Sequence, residues 1–199
     1  MLAAAEGHLD VVRYLVEQGA NKDLKDEFGE TAVIRGAAFN RVDVVRYLVE
    51  RGADKNVVNI CGENAVVRAT EEGYVDVVRT LVELGANKHE MDEDCKTALH
   101  WATGFGQLDV VRYIVEQGSD KDCIFDNGKT ALGMATMRGH LGMVQYLVEQ
   151  GADKDKKDQF GGTPLMWAKR CGQDEVARYL VAQGADCSEP DQSTECTLL

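Results

Sequence analysis

The chain has 199 residues, which fits one or two compact domains or a single repeat array. Its 34 acidic and 22 basic side chains give a formal charge of -12, a field that repels DNA, RNA and anionic membrane surfaces. No run of about 18 apolar residues is present to form a transmembrane helix.

The first pattern in the chain is self-similarity. VVRYLVEQG at 11–19 returns as VVRYLVERG at 44–52, VVRTLVELG at 77–85 and VVRYIVEQG at 110–118. It returns again as MVQYLVEQG at 143–151 and VARYLVAQG at 176–184, each copy displaced by 33 residues without insertion or deletion. A fixed period of this length marks a repeat architecture in which each unit cannot bury its apolar face alone. The array spans residues 1–186, with copies at 1–26, 27–59, 60–92, 93–125, 126–158 and 159–186. Residues 187–199 form a polar tail expected to be flexible.

The fourth copy displays the anatomy of the rest. Thr97 is an N-cap, because its hydroxyl can accept a hydrogen bond from a free backbone N–H. A short helix follows from Ala98 and ends by Gly106. A second helix runs from about Leu108 to Gln117, with Asp109 in its first turn, where a carboxylate suits the positive end of the dipole. Val110, Val111, Tyr113, Ile114 and Val115 form its apolar face and Asp109, Arg112, Glu116 and Gln117 its polar stripe. Gly118 supplies the left-handed residue that stops it. Stacked copies would bury the column Leu15, Leu48, Leu81, Ile114, Leu147 and Leu180.

These motifs resemble the ankyrin repeat. Thr97-Ala98-Leu99-His100 and Thr163-Pro164-Leu165-Met166 carry the start of its hallmark. Gly7-His8 and Gly139-His140 carry the middle. Gly52-Ala53-Asp54, Gly151-Ala152-Asp153 and Gly184-Ala185-Asp186 carry the end. The resemblance implies an all-α, curved solenoid of stacked helix-turn-helix pairs with β-turn fingers. It also implies a protein-recognition module without catalytic residues, cofactor or metal. Copy one starts inside a first helix, with Met1 at the hallmark His position, so the chain reads as an excerpt of a longer protein. Copy two keeps Thr31, loses the His and carries Asn40 in place of the interhelical glycine. Copy three has Asn64 for the Thr, copy four Cys95 for the turn glycine, and copy five Gly133 for the His and Gly142 for the helix-two acid. Copies two and three are expected to be locally weaker. In copy six, Lys169, Arg170, Gln173 and Asp174 read as a polar outer cap.

The two positions before the interhelical glycine are expected on the concave side. The second reads Glu6, Phe39, Glu72, Phe105, Arg138 and Cys171, and the first Ala5, Ala38, Glu71, Gly104, Met137 and Arg170. Turn tips are expected at Glu27, Phe28, Glu30, Ile60, Glu63, Glu93, Asp94, Lys96, Asp126, Asn127, Lys129, Gln159 and Phe160. Aromatics and Arg within a charged rim are the residue types that dominate interface energetics. The candidate partner-binding set is Phe39, Glu72, Trp101, Phe105, Met137, Arg138, Phe160, Trp167 and Arg170. For Trp101 and Trp167 the competing reading is half-buried packing between first helices. For the acids at the tips it is a solvated surface. The expected partner is a basic or neutral protein, with no nucleic acid and no small-molecule substrate.

No phosphate-binding loop and no nucleophile elbow is present. His8, His100 and His140 occupy hallmark positions and His89 a polar connector, without a clustered metal ligand. The cysteines at 61, 95, 123, 171, 187 and 196 include no C-x-x-C pair and read as reduced thiols of a cytoplasmic or nuclear protein. The last residues, Cys196-Thr197-Leu198-Leu199, fit a prenylation box with Cys196 as lipid acceptor, the one route to a membrane. The same residues also resemble a C-terminal ligand of PDZ domains, and an inert tail is the third reading.

Overall fold

The structure, a computed structural model, describes residues 1–88, 97–124 and 128–186. Its regular elements among these residues are twelve helices: α1 (Leu2–Glu6), α2 (Leu9–Glu17), α3 (Ala32–Ala38), α4 (Val42–Glu50), α5 (Ala65–Glu71), α6 (Val75–Glu83), α7 (Ala98–Gly104), α8 (Leu108–Glu116), α9 (Ala131–Arg138), α10 (Leu141–Glu149), α11 (Pro164–Arg170) and α12 (Asp174–Ala182). None of them is long and apolar enough to cross a membrane. Cys196, the rest of the tail, Cys95, His89 and the turn residues Glu93, Asp94, Lys96, Asp126 and Asn127 lie outside the described residues.

The chain divides into two compact units, Met1–Ser119 and the segment from Asp120 onward. In the first, α1, α3, α5 and α7 pack in sequence as one layer and α2, α4, α6 and α8 as a second. In the second unit α9 packs on α11 and α10 on α12, and each pair closes on itself. Every first helix after α1 starts on a polar cap. Thr31 accepts from the Ile34 N–H at 3.4 Å, Thr130 from Gly133 at 3.2 Å and Thr163 from Met166 at 3.4 Å. In α7 the Thr97 N–H donates to His100 Nδ1 at 3.1 Å, so the hallmark histidine is buried as part of a reciprocal cap. Asn64, which breaks the pattern in copy three, takes over the same job by accepting the Val67 N–H at 3.0 Å. The Thr-to-Asn departure therefore costs that helix no cap.

The core follows the expected column with one correction. Leu48, Leu81, Ile114, Leu147 and Leu180 are fully buried, but Leu15 is 44% exposed. Its helix pair packs against α3 and α4 of the following copy, and that packing leaves Leu15 uncovered. Leu2 at 78% and Tyr14 at 62% exposure, with Val11, extend the same uncovered face.

Polar links recur at the same register and tie copies together within each unit. The Asp23 carboxylate accepts the Asp54 N–H at 2.8 Å and the Asn56 side chain accepts that of Asn87 at 2.9 Å. In the second unit Asp122 accepts from Asp153 at 2.9 Å and Asp155 from Asp186 at 2.7 Å. A second series crosses between layers: Arg41 Nε donates to the Ala5 carbonyl at 2.8 Å, Gln107 to Glu71 at 3.4 Å and Gln173 to Met137 at 3.4 Å. Gln173 is thus a link to the preceding copy rather than part of an outer cap. On the second layer, Arg13 lies 5.4 Å from the Tyr47 ring centre and Arg79 5.3 Å from that of Tyr113, within cation–π range.

Candidate partner-binding surfaces

The first-layer face of the first unit is built from its turns. The Asp26 Oδ1 atom accepts the N–H groups of Phe28 at 3.0 Å and Glu30 at 2.9 Å. Asn59 does the same for Cys61 and Glu63, both at 2.9 Å. The Ile60 N–H donates to the Phe28 carbonyl at 3.1 Å, which joins the two turns. A Cβ on Gly29 would meet Ile60 N at that same 3.1 Å, so the glycine is needed for the close approach as well as for its positive φ. With the backbone fixed from within, Phe28 and Ile60 project into solvent.

Behind these tips lies a charged network. Arg35 bridges Asp26 Oδ2 at 2.9 Å and Glu30 Oε2 at 2.6 Å. Arg68, from the next copy, lies 3.8 Å from both Glu30 Oε1 and Glu63 Oε2 and pairs closely with Glu71. Glu30 is only 7% exposed, so it is a buried ion-pair partner and not the solvated tip acid its sequence position suggests. Asp26 sits below the usual carboxylate range. Burial acts against its charge, but Arg35 and the backbone N–H groups of Glu30 and Phe28 outweigh that. Glu71 is displaced upward, first by burial and then by the nearby Glu63 charge, with Arg68 compensating in part.

The candidates of this unit surround the network's helices. Phe39, Glu72 and Phe105 are the C-caps of α3, α5 and α7 and are exposed, Phe105 at 52%. Trp101 is half-buried and stacks on Phe105 with ring centres 5.6 Å apart and planes at 13°. The half-buried Trp101 ring thus supports the exposed ring of Phe105.

The second unit presents different chemistry on its first-layer face. Asp158 Oδ1 accepts from Phe160 at 2.9 Å and Gly162 at 2.8 Å, while Oδ2 accepts the Trp167 indole N–H at 2.7 Å. A Cβ on Gly162 would lie 2.6 Å from Trp167 Nε1, so the tryptophan occupies the place where copies two and three carry Glu30 and Glu63. Lys129 Nζ lies 5.4 Å and Arg170 Cζ 5.2 Å from the Trp167 ring centre. Phe160 and Arg138 are exposed, and Met137 is half-buried beside Arg138.

The network was missed in the sequence, although a signal exists. Glu30-x4-Arg35 and Glu63-x4-Arg68 recur in register, and Gly162-x4-Trp167 replaces the pair together. On the second layer an open groove of about 550 Å³ runs between α6 and α8, lined by Val75, Arg79, Glu83, Asp109, Arg112 and Tyr113. Among the described residues no cluster of His, Cys, Asp or Glu could hold a metal ion. The Cys123 thiol is pushed up to about 11, mainly by burial and further by Asp120 and Asp122, which keeps it protonated at neutral pH and a poor nucleophile.

Known proteins share this sequence pattern. The family described as ankyrin repeats (3 copies) matches over residues 1–59, 51–125 and 99–191. The chain belongs to the ankyrin repeat family. Among solved structures, the human ASB11 ankyrin repeat domain is 26% identical, with 97% of this chain and 86% of that one covered at a TM-score of 0.86. The ankyrin repeat domain of Bcl-3, described as a unique member of the IkappaB protein family, is 27% identical, with 93% and 85% covered at a TM-score of 0.85. No curated relative matches the chain. Ankyrin repeats are in general protein–protein interaction modules.

Proposed function

We propose that this ankyrin repeat array recognises a partner protein through its first helices and turns. The observation that carries the reading is the exposed aromatic set Phe28, Phe39 and Phe105, held on turns and helix ends that are internally hydrogen bonded. Pre-ordered aromatics lose little freedom on binding and exclude water well. Glu72 beside them, with the acids of the network, favours a basic or neutral partner for the first unit. Cysteines scattered without a C-x-x-C pair favour a reducing compartment, the cytoplasm or nucleus.

The test is affinity capture with the wild-type chain beside Phe39→Ala with Phe105→Ala, and beside Glu50→Ala on the second layer as control. The partner should be lost with the aromatic pair and kept with the control. Equal recovery by all three chains would mean that a different face binds.

A second reading is favoured by the uncovered apolar side chains Leu2, Val11, Tyr14 and Leu15. Through that face the chain would associate with a copy of itself. Light scattering across a concentration series decides it, since a strict monomer at every concentration removes the idea.

A further inference from the structure

We infer that the first-layer face of the second unit takes an acidic segment of a partner protein, one whose carboxylates are interspersed with apolar side chains. The inference rests on the recognition reading above and gives one of its faces a specific chemistry.

Charge is the first ground. Along α9, α11 and the turn from Asp158 to Gly162, the basic residues of this face are Arg138 and Arg170, and Lys129 lies two residues before α9. The one acid in those three stretches is Asp158, and its two oxygens are committed to Phe160, Gly162 and Trp167. Among the described residues, none of these three cations lies in an ion pair, whereas Arg35 and Arg68 of the first unit are both held by glutamates. A molecule with a net charge of -12 nonetheless keeps a patch of unneutralised positive charge on this face.

The second ground is the aromatic platform. Trp167 has its polar edge satisfied by Asp158 and its ring within reach of Lys129 and Arg170, while Phe160 stands exposed on the adjoining turn. Aromatic rings beside arginine are the anchors on which interface energy concentrates. Carboxylates would pair with Arg138 and Arg170 in two-pronged fashion. Apolar side chains of the same segment would cover Phe160 and Met137. A nucleic acid also carries negative charge, but its continuous phosphate backbone would feel the repulsion of the whole chain.

The test uses the full chain and two labelled peptides that differ only in Glu against Ser, each interspersed with Phe, followed by fluorescence anisotropy. The Glu peptide should bind at least about tenfold tighter than the Ser peptide. Arg138→Glu with Arg170→Glu should abolish that difference, the milder Arg138→Gln with Arg170→Gln should reduce it, and Glu50→Ala should leave it intact. In a Trp101→Phe background, which leaves Trp167 as the single indole, the Glu peptide should shift the emission. Equal affinity for the Glu and Ser peptides would overturn the proposal, as would wild-type affinity in the charge-reversed chain. Tighter binding of a short single-stranded DNA than of the Glu peptide would overturn it too. A Lys-for-Glu version of the peptide that binds and is lost on Phe39→Ala would leave the general recognition reading standing while this proposal fails.

Discussion

Asn40 is the one non-glycine residue with positive φ among the described residues, at 57°. It stands where other copies place a glycine between their helices, and its short polar side chain makes the left-handed conformation tolerable. Asn40→Ala should therefore destabilise the chain by about 1 kcal/mol, while Asn40→Gly should cost nothing, both read from urea melts. That outcome is legible in the sequence, because Asn at an in-register glycine position has few other physical meanings. Glu71 is a case where sequence alone fails. Its displacement upward comes from burial and from Glu63, neither visible in a string of letters. Because the folded state holds this proton more tightly than the unfolded chain, the ionised side chain costs stability at neutral pH. The cost fades as pH falls through the raised folded value toward the ordinary glutamate range. Glu71→Gln should raise the urea midpoint at pH 7, and its advantage should shrink as the buffer is acidified. Asp26 has the opposite sign: its lowered pKa contributes stability at neutral pH that is lost as pH falls through its folded value.

At the level of helices, caps and periodicity were readable because they are local. Thr31, Thr97, Thr130 and Thr163 each start a first helix at the position the 33-residue register assigns. The apolar column was readable at Leu48, Leu81, Ile114, Leu147 and Leu180, and failed at Leu15, whose helix packs on the following copy and leaves that side chain uncovered. Leu81→Ala should cost roughly 2–5 kcal/mol, the range for truncating a fully buried leucine, whereas Leu15→Ala should cost less than about 1 kcal/mol. Comparing the two midpoints by circular dichroism in urea checks the contrast. Glu30 was misjudged for the same reason that Leu15 was. Its burial depends on Arg68 arriving from the following copy, and a turn read by itself contains no such neighbour. The candidate surface was likewise half legible: Phe39, Phe105, Arg138 and Phe160 are exposed as expected, while the roles of Trp101 and Trp167 as supports emerge only from their partners.

For the whole molecule, net charge governs long-range encounters and local pairing governs contact. The formal charge of -12 should prevent retention on immobilised double-stranded DNA at physiological ionic strength, and firm retention there would contradict the electrostatic reading. It says little about any one face, since Arg35 and Arg68 of the first unit are paired with glutamates while, among the described residues, Arg138 and Arg170 of the second lie in no ion pair. The side-chain links that begin at Asp23, Asn56, Asp122 and Asp155 carry a further consequence. Each reaches a backbone N–H 31 positions later, so one copy's connector supplies the acceptor and the next supplies the donor. Duplicating or excising a whole 33-residue block inside a unit leaves every remaining donor facing an acceptor, because the splice joins like to like. A block longer or shorter by a few residues would strand one of each. Each unit can thus grow or shrink in whole steps with little penalty.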